Sequence, residues 1–240
     1  MNIQPYVVIN GKSSREILGL LITTLPPIVK PPIRAEADAI DGRDGDVITR
    51  LGFSAYDKPL GIALYGDYDV DDVIDFFNQE GMITFSNEPD KYYKFQQLEG
   101  IEFEKLIRYK TAQIKLHCQP FKYSVSEAEK VFTFSSSESS GELSIRNVGN
   151  YYAKPTIKLT GSGNINLSLN GAEVMLIDMS SDGVIILNTD EMNAYNPDGI
   201  LKNRKTTGNM EHLFFKIGKN VLSYTGNITQ ISISNFSRWI

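Results

Sequence analysis

At 240 residues, with 41% hydrophobic residues, the chain has enough apolar material for a sizeable core and length for one or two domains. A formal net charge of −5 and an isoelectric point near 5.2 supply no basic face, so direct recognition of DNA or RNA is not expected. The single cysteine, Cys118, permits neither an intrachain disulfide nor a paired-cysteine zinc site, a usage that suits a reducing cytoplasm.

In chain order, Met1, Asn2 and Ile3 lack the basic start of a secretion signal, and the apolar run at 17–25 is too short to span a bilayer, so no membrane association is expected. Residues 6–9 and 17–23 read as short strands joined through an Asn10-Gly11 turn. Pro26, Pro27, Pro31 and Pro32 then hold an extended arm, strap or edge strand, because proline cannot donate to a ladder. Ile33, Ala35, Ala37 and Ala39 alternate with Arg34, Glu36 and Asp38, the period-two pattern of a half-buried strand. That strand runs into Asp41, Gly42, Arg43, Asp44, Gly45 and Asp46, a loop whose glycines can adopt positive φ while its aspartates bond to their own main chain. Val47, Ile48 and a second apolar run at 60–65 lie beyond it. Such a loop suits an active site, an anion cradle or a protein contact. On the residues alone, a self-satisfied turn is favoured, with Asp41 and Asp44 capping local N–H groups and Arg43 in water.

Val70, Val73, Ile74 and Phe77 fall at helical spacing, with Asp69 placed as N-cap and Gly81 as stop. The acids Asp67, Asp69, Asp71, Asp72 and Asp75 fail as a calcium loop. Counting from Asp67, the sixth position holds Asp72 instead of glycine and the twelfth holds Asn78 instead of glutamate. They are read instead as complements to the N-terminal end of the helix. Strands are expected at 82–85, 92–97, 101–107 and 109–121, making the N-terminal half mainly β with one α-helix. His117 and Cys118 are neighbours on a strand and point to opposite faces, so they form no catalytic dyad. His212 lies apart, among Leu213, Phe214 and Phe215 on another expected strand. With no nucleophile elbow, phosphate loop or dinucleotide fingerprint, no catalytic, metal or cofactor-binding residue is assigned. Paired carboxylates for sugar hydrolysis carry no signal among the 29 acids.

The serine-rich stretch at 135–141 cannot pack a core, and the domain boundary is placed there, giving domains 1–134 and 135–240. Beyond it, strands at 143–147, 156–160, 165–169, 173–177, 184–188, 213–217, 221–224 and 228–234 recur between Gly-Asn and Asn-Gly turns, which reads as an all-β sandwich. Tyr151, Tyr152, Tyr195, Phe236 and Trp239 suit stacking on a sugar ring or filling a core. Lys202, Arg204 and Lys205 read as a solvated basic loop.

The loop Asp41-Gly42-Arg43-Asp44-Gly45-Asp46, the strand at 60–65 and the acidic helix after it together resemble the N-terminal half of the distal tail proteins of long-tailed phages infecting Gram-positive bacteria. Pro155-Thr156-Ile157-Lys158-Leu159, Gly161-Ser162-Gly163-Asn164-Ile165, Asn170-Gly171 and the ending Ile233-Ser234-Asn235-Phe236-Ser237-Arg238-Trp239 resemble the C-terminal half of the same family. The resemblance implies no enzyme and no cofactor. It implies a split-barrel-like N-terminal domain, a galectin-like C-terminal sandwich and a baseplate hub made of a homohexameric ring, single or in stacked pairs. Its implied partners are the major tail-tube protein on one face and a tail-tip, lysin or adhesion protein on the other, with DNA passing through the lumen unbound. The implied location is the virion tail tip, after assembly in the host cytoplasm from a phage or prophage gene. Under the resemblance, Asp41, Gly42, Arg43, Asp44 and Gly45 become a ring-interface loop. The alternative is a free-standing carbohydrate-binding sandwich. No inserted extra domain of the kind that gives some relatives sugar binding is present, so strong glycan binding is not expected.

Overall fold

The computed structural model describes residues 4–97, 100, 103–127, 129–134 and 139–240. The chain is mainly β and divides into two compact units, one ending at Val125 and the other spanning Ser126–Trp239.

The first unit contains β1 (Val7–Ile9), β2 (Lys12–Ser13), β3 (Leu20–Thr24), β4 (Ile33–Ala39), β5 (Asp46–Phe53), β6 (Tyr56–Leu64), α1 (Val70–Phe77), β7 (Glu80–Phe85), β8 (Lys91–Gln96), α2 (Phe103–Tyr109) and β9 (Thr111–Ser124). Seven of these strands form one antiparallel sheet in the order β2-β1-β7-β8-β9-β6-β3. The Asn10-Gly11 turn joins β1 to β2, while β3 crosses to the far edge and pairs with β6. Among the described residues, strand β4 pairs only with β5, as a separate two-stranded ribbon.

Helix α1 starts where its sequence requires, the Asp69 carboxylate accepting from the Asp71 amide at 2.9 Å. Val73, Phe76 and Phe77 bury against Val7, Ile9, Leu60, Ile62 and Ile83 in one core. The helix ends at Asn78, before Gly81, which lies inside β7. The expectation of one helix is corrected to two. Phe103, Leu106 and Ile107 sit at i, i+3 and i+4, a helical spacing at odds with the strand expected at 101–107, and Lys110 at φ 58 follows the last turn. Residues 101 and 102 of that expected strand lie outside the described residues.

Beside this core a polar cluster is buried. Lys58, 2% exposed, stands 4.3 Å over the Tyr93 ring and 5.0 Å over the Tyr56 ring. The Glu88 carboxylate accepts from Lys122 Nζ and from the Tyr93 hydroxyl, each at 2.9 Å. Burial lowers the Lys58 pKa, and burial pushes the Cys118 thiol and the Tyr56 hydroxyl each up to about 12.

The second unit contains β10 (Lys130–Thr133), β11 (Ser140–Asn147), β12 (Thr156–Leu169), β13 (Ala172–Asp178), β14 (Val184–Asn188), β15 (Asn193–Tyr195), β16 (Thr206–Gly208) and β17 (Gly218–Ser234). The serine-rich stretch falls within this unit, between β10 and β11, both of which pair with β17; its residues 135–138 lie outside the described residues. Strands β12 and β17 pair with each other along most of their length. One half of β12 carries β14 and the other carries β13, and the sheet curls over a single core that includes Ile157, Leu159, Ile165, Leu167, Tyr224, Ile231 and Ile233. Four strands expected from the sequence are therefore two long bent ones, and the Gly-Asn signals mark bulges inside them. At the bend a Cβ on Gly226, whose φ is 113°, would stand 2.4 Å from the Asn164 carbonyl oxygen. The expected strand at 213–217 reduces to one bridge, Ala153 to Phe215, behind the short turn Met210–His212.

Two outcomes follow from these cores. Cys118 and Tyr56 have folded pKa values above their unfolded ones, so their contribution is complete below about pH 9 and is lost as pH rises toward about 12; Lys58, lowered on folding, acts in the opposite sense. The first unit should destabilise between about pH 9 and 12, and Cys118→Ala should flatten that dependence in denaturant titrations run across the range. Gly226→Ala should cost the second unit more than about 2 kcal/mol, while Gly163→Ala, where the added Cβ meets open space, should cost about 1–2 kcal/mol, both read from urea midpoints.

Candidate assembly interface

The ribbon of β4 and β5 begins where the proline strap ends. No strand forms in the strap; the Asn87 side-chain amide donates to the Pro26 carbonyl at 3.0 Å, and the Ser54 amide donates to that of Pro32 at 2.9 Å. Phe53, edge-on to Phe121 at 5.6 Å, fixes the ribbon's other foot. Pairing then runs from Ile33 opposite Phe53 to Ala39 opposite Asp46, with a bulge between Arg34 and Ala35.

The half-buried strand expected at 33–39 is corrected here: all seven residues of β4 are exposed. Three of its four apolar positions are alanine, which offers little area to bury, and the ribbon belongs to neither large sheet. Ile48 is 68% exposed, Ile40 51% and Leu51 44%. A two-stranded ribbon with neither face covered is marginally stable in water, and each strand also presents an unpaired edge. Elsewhere in this unit the sheet edges are short: β2 has two residues and β3 has five before the prolines. The ribbon's edges run seven and eight residues, blunted by the bulge at Arg34/Ala35 and by charged side chains and not by shortness.

At its tip, Gly42 and Gly45 take φ of 81° and 77°, and a Cβ added at either would meet open space, so glycine is needed there for backbone conformation alone. The Arg43 amide closes the turn on the Ile40 carbonyl at 3.1 Å. Asp41, Gly42, Arg43, Asp44 and Gly45 are all exposed. The side chains of Asp41 and Asp44 cap no described N–H, so the self-satisfied turn does not form through them, while Arg43 stands exposed to water, as that reading expects. Residues 33–53 hold three arginines and five carboxylates, an acidic ribbon whose charges point to solvent. Ile33, Ile48 and Leu51, the apolar contact candidates, carry no motif; their signal is an apolar strand beside a charged turn, which reads equally as core.

Other sequence candidates stay structural. Cys118 is buried, while His117 on the other face meets Asp57 at 2.8 Å. Lys202 and Lys205 pair with Asp182 and Asp178 at 2.7 and 2.8 Å, which corrects the solvated reading of that loop. Phe236 joins the second core, and the Tyr195 hydroxyl donates to Glu191. Among the described residues, no cluster of three or more metal-ligating side chains occurs, and no helix is long and apolar enough to cross a membrane.

No family model matches the chain, and no curated protein matches it in sequence. Among solved structures it is similar to the Dit protein of phage SPP1, whose crystal structure is described as a paradigm of the hub adsorption apparatus in phages infecting Gram-positive bacteria. The TM-score is 0.61 at 16% identity, over 98% of this chain and 99% of that one. The chain has the fold of that protein from end to end.

Ile48→Asp and Leu51→Asp should each change the stability of dilute, unassembled chain by less than about 0.5 kcal/mol in urea titration, because neither side chain packs on its own core. A loss of several kcal/mol would place the ribbon within its own chain's core.

Proposed function

We propose that the chain is a distal tail protein of a phage or prophage of Gram-positive bacteria, a structural hub whose first unit closes into a homohexameric ring. The observation that carries this reading is the ribbon at 33–53, exposed on both faces and both edges in a chain with the end-to-end fold of a phage hub protein. Cyclic, head-to-tail contacts cover every such ribbon with a neighbouring copy and leave none to extend a filament. The loop Asp41–Gly45 lies at that contact, with Arg43 paired to a carboxylate of the neighbouring copy. A buried pair of this kind loses about 2–5 kcal/mol on truncation of one partner, against about 0–1 kcal/mol for an exposed pair.

The ring joins the last tail-tube ring at one face to the tail-tip, lysin or adhesion protein at the other, and the second unit is a galectin-like platform for that apparatus. DNA crosses the lumen without specific binding. The chain's net charge of −5 supports this, since phosphate contacts by a basic lining would make DNA adhere. The protein acts mechanically, in the virion tail tip, after assembly in the host cytoplasm.

Light-scattering mass and negative-stain microscopy over a concentration series test the ring. Six chains of 26.9 kDa should give annular particles of roughly 161 kDa, or twice that for stacked rings. Arg43→Ala should move assembly to at least about tenfold higher concentration. Monomer at every concentration, even with tail-tube and tail-tip partners added, would overturn the ring; unchanged assembly of Arg43→Ala would remove that residue from the contact.

A further inference from the structure

The second unit holds a cleft that the ring does not use. One hollow of about 320 Å³ is lined by Tyr152, Lys154, Met192, Glu211 and Phe214. A second, of about 230 Å³, is lined in part by Asn170, Glu173, His212 and Lys216, and shares Phe214 as a wall. We propose that this cleft binds two consecutive pyranose rings of a glycan, one in each hollow, astride Phe214.

The aromatic wall is held rigid before any ligand arrives. Tyr152 and Phe214 meet edge to face at 5.5 Å, and the Tyr151 ring lies 4.5 Å from Tyr152. Arg238, 1% exposed, stands 4.7 Å over the Tyr152 ring while its Nε donates to the Tyr152 carbonyl at 2.8 Å. Tyr152 nevertheless remains 37% exposed. Pre-ordered aromatic area of this kind costs little entropy on binding.

Met192 adds an outlier. Its φ is 57°, and of the other described non-glycine residues with positive φ, three are asparagines, which tolerate that region, and one is Lys110. Left-handed backbone at a methionine costs about 1–2 kcal/mol. The turn is nonetheless fixed, because Asn188 Oδ1 accepts from the amides of Asp190 and Glu191 at 3.2 and 3.3 Å. Strain held this firmly beside a cleft points to a binding role.

The polar groups choose the ligand class. The Glu211 carboxylate has no described hydrogen bond or ion pair, although its backbone is fixed by its N–H donating to Asn209 Oδ1 at 2.9 Å. Among the described residues, Lys154 Nζ has a single ion pair, to Asp190 at 3.9 Å, which is longer than a hydrogen bond and leaves its protons available. The second hollow adds Glu173, whose carboxylate accepts from the Asn166 side-chain amide at 2.7 Å, together with His212 and Lys216. An anion meets Glu211 and Glu173, and a cation meets Lys154 and Lys216, so neither suits the whole cleft. An apolar protein anchor favours a centre free of charges. A sugar offers a C–H face for the rings and hydroxyls that both donate and accept, so it uses every group present. This revises the expectation drawn from the missing inserted domain, since the site is built from the sheet unit itself.

The test uses full-length chain with methyl-labelled methionines, titrated to about 50 mM with cellobiose, maltose, lactose and N,N′-diacetylchitobiose, with the Met192 signal assigned from Met192→Leu. At least one disaccharide should shift the Met192 methyl saturably, with a Kd of about 1–10 mM. Phe214→Ala, and the surface variant Glu211→Gln, should each weaken that binding several-fold. No shift with any of the four sugars, or a shift unchanged in both variants, would overturn the site. The readout is per chain and does not depend on ring formation.

Discussion

Backbone amides and carbonyls on a strand edge, and apolar side chains on a strand face, must be covered by something. In the first unit nearly all of them are. The main sheet closes its faces with a core and limits its edges to a two-residue strand and a strand cut short by prolines. The ribbon of β4 and β5 violates that rule, with exposed isoleucines, no second layer and two long edges. One stretch of chain that fails to complete itself, within a unit that otherwise does, is the constraint from which the assembly reading descends.

The rest of the first unit makes that departure tolerable. The ribbon's feet are anchored by Phe53 against Phe121 and by the tethered strap, so its direction is set by ordered structure even though its tip contributes nothing to the core. The buried cluster places Tyr56 and Lys58 on β6, Tyr93 on β8, Lys122 on β9 and Glu88 in the turn between β7 and β8, where the lysine stands over aromatic faces and the Glu88 carboxylate joins Lys122 to Tyr93. The second unit reaches its curled form differently, by bending two long strands at Gly161 and Gly226, where an added Cβ would collide with the facing backbone. Its cleft arises beside the short turn at Met210–His212, where regular pairing gives way to a single bridge.

The parts legible in the sequence are those governed by local chemistry. Asp69 caps α1 because an aspartate before an apolar helical face has no better use, and the neighbours His117 and Cys118 diverge because adjacent strand residues must. The tip glycines lie where the turn needs positive φ. Period two at 33–39 reports a strand faithfully but carries no information about whether its apolar side meets the chain's own core or another copy. Helix α2 is legible in the spacing of Phe103, Leu106 and Ile107, although the same stretch is apolar enough to read as a strand. The bent strands are hidden because a glycine-rich bulge and a glycine-rich turn share one composition. The cleft residues Tyr152, Lys154, Met192, Glu211 and Phe214 come from separate stretches joined only by the fold, and of these only Tyr152 stands out in the sequence as a candidate sugar-stacking residue.

The central claim is that a second copy of the chain covers the ribbon. Amide hydrogen exchange of residues 33–53, followed as protein concentration is raised, tests it most directly. Rapid exchange is expected along the outer edges of β4 and β5 in dilute chain and strong protection once assembly occurs, with α1 and the main sheet protected throughout. Protection of the ribbon that is already complete in the monomer, or exchange that stays rapid in the assembled particle, would contradict it.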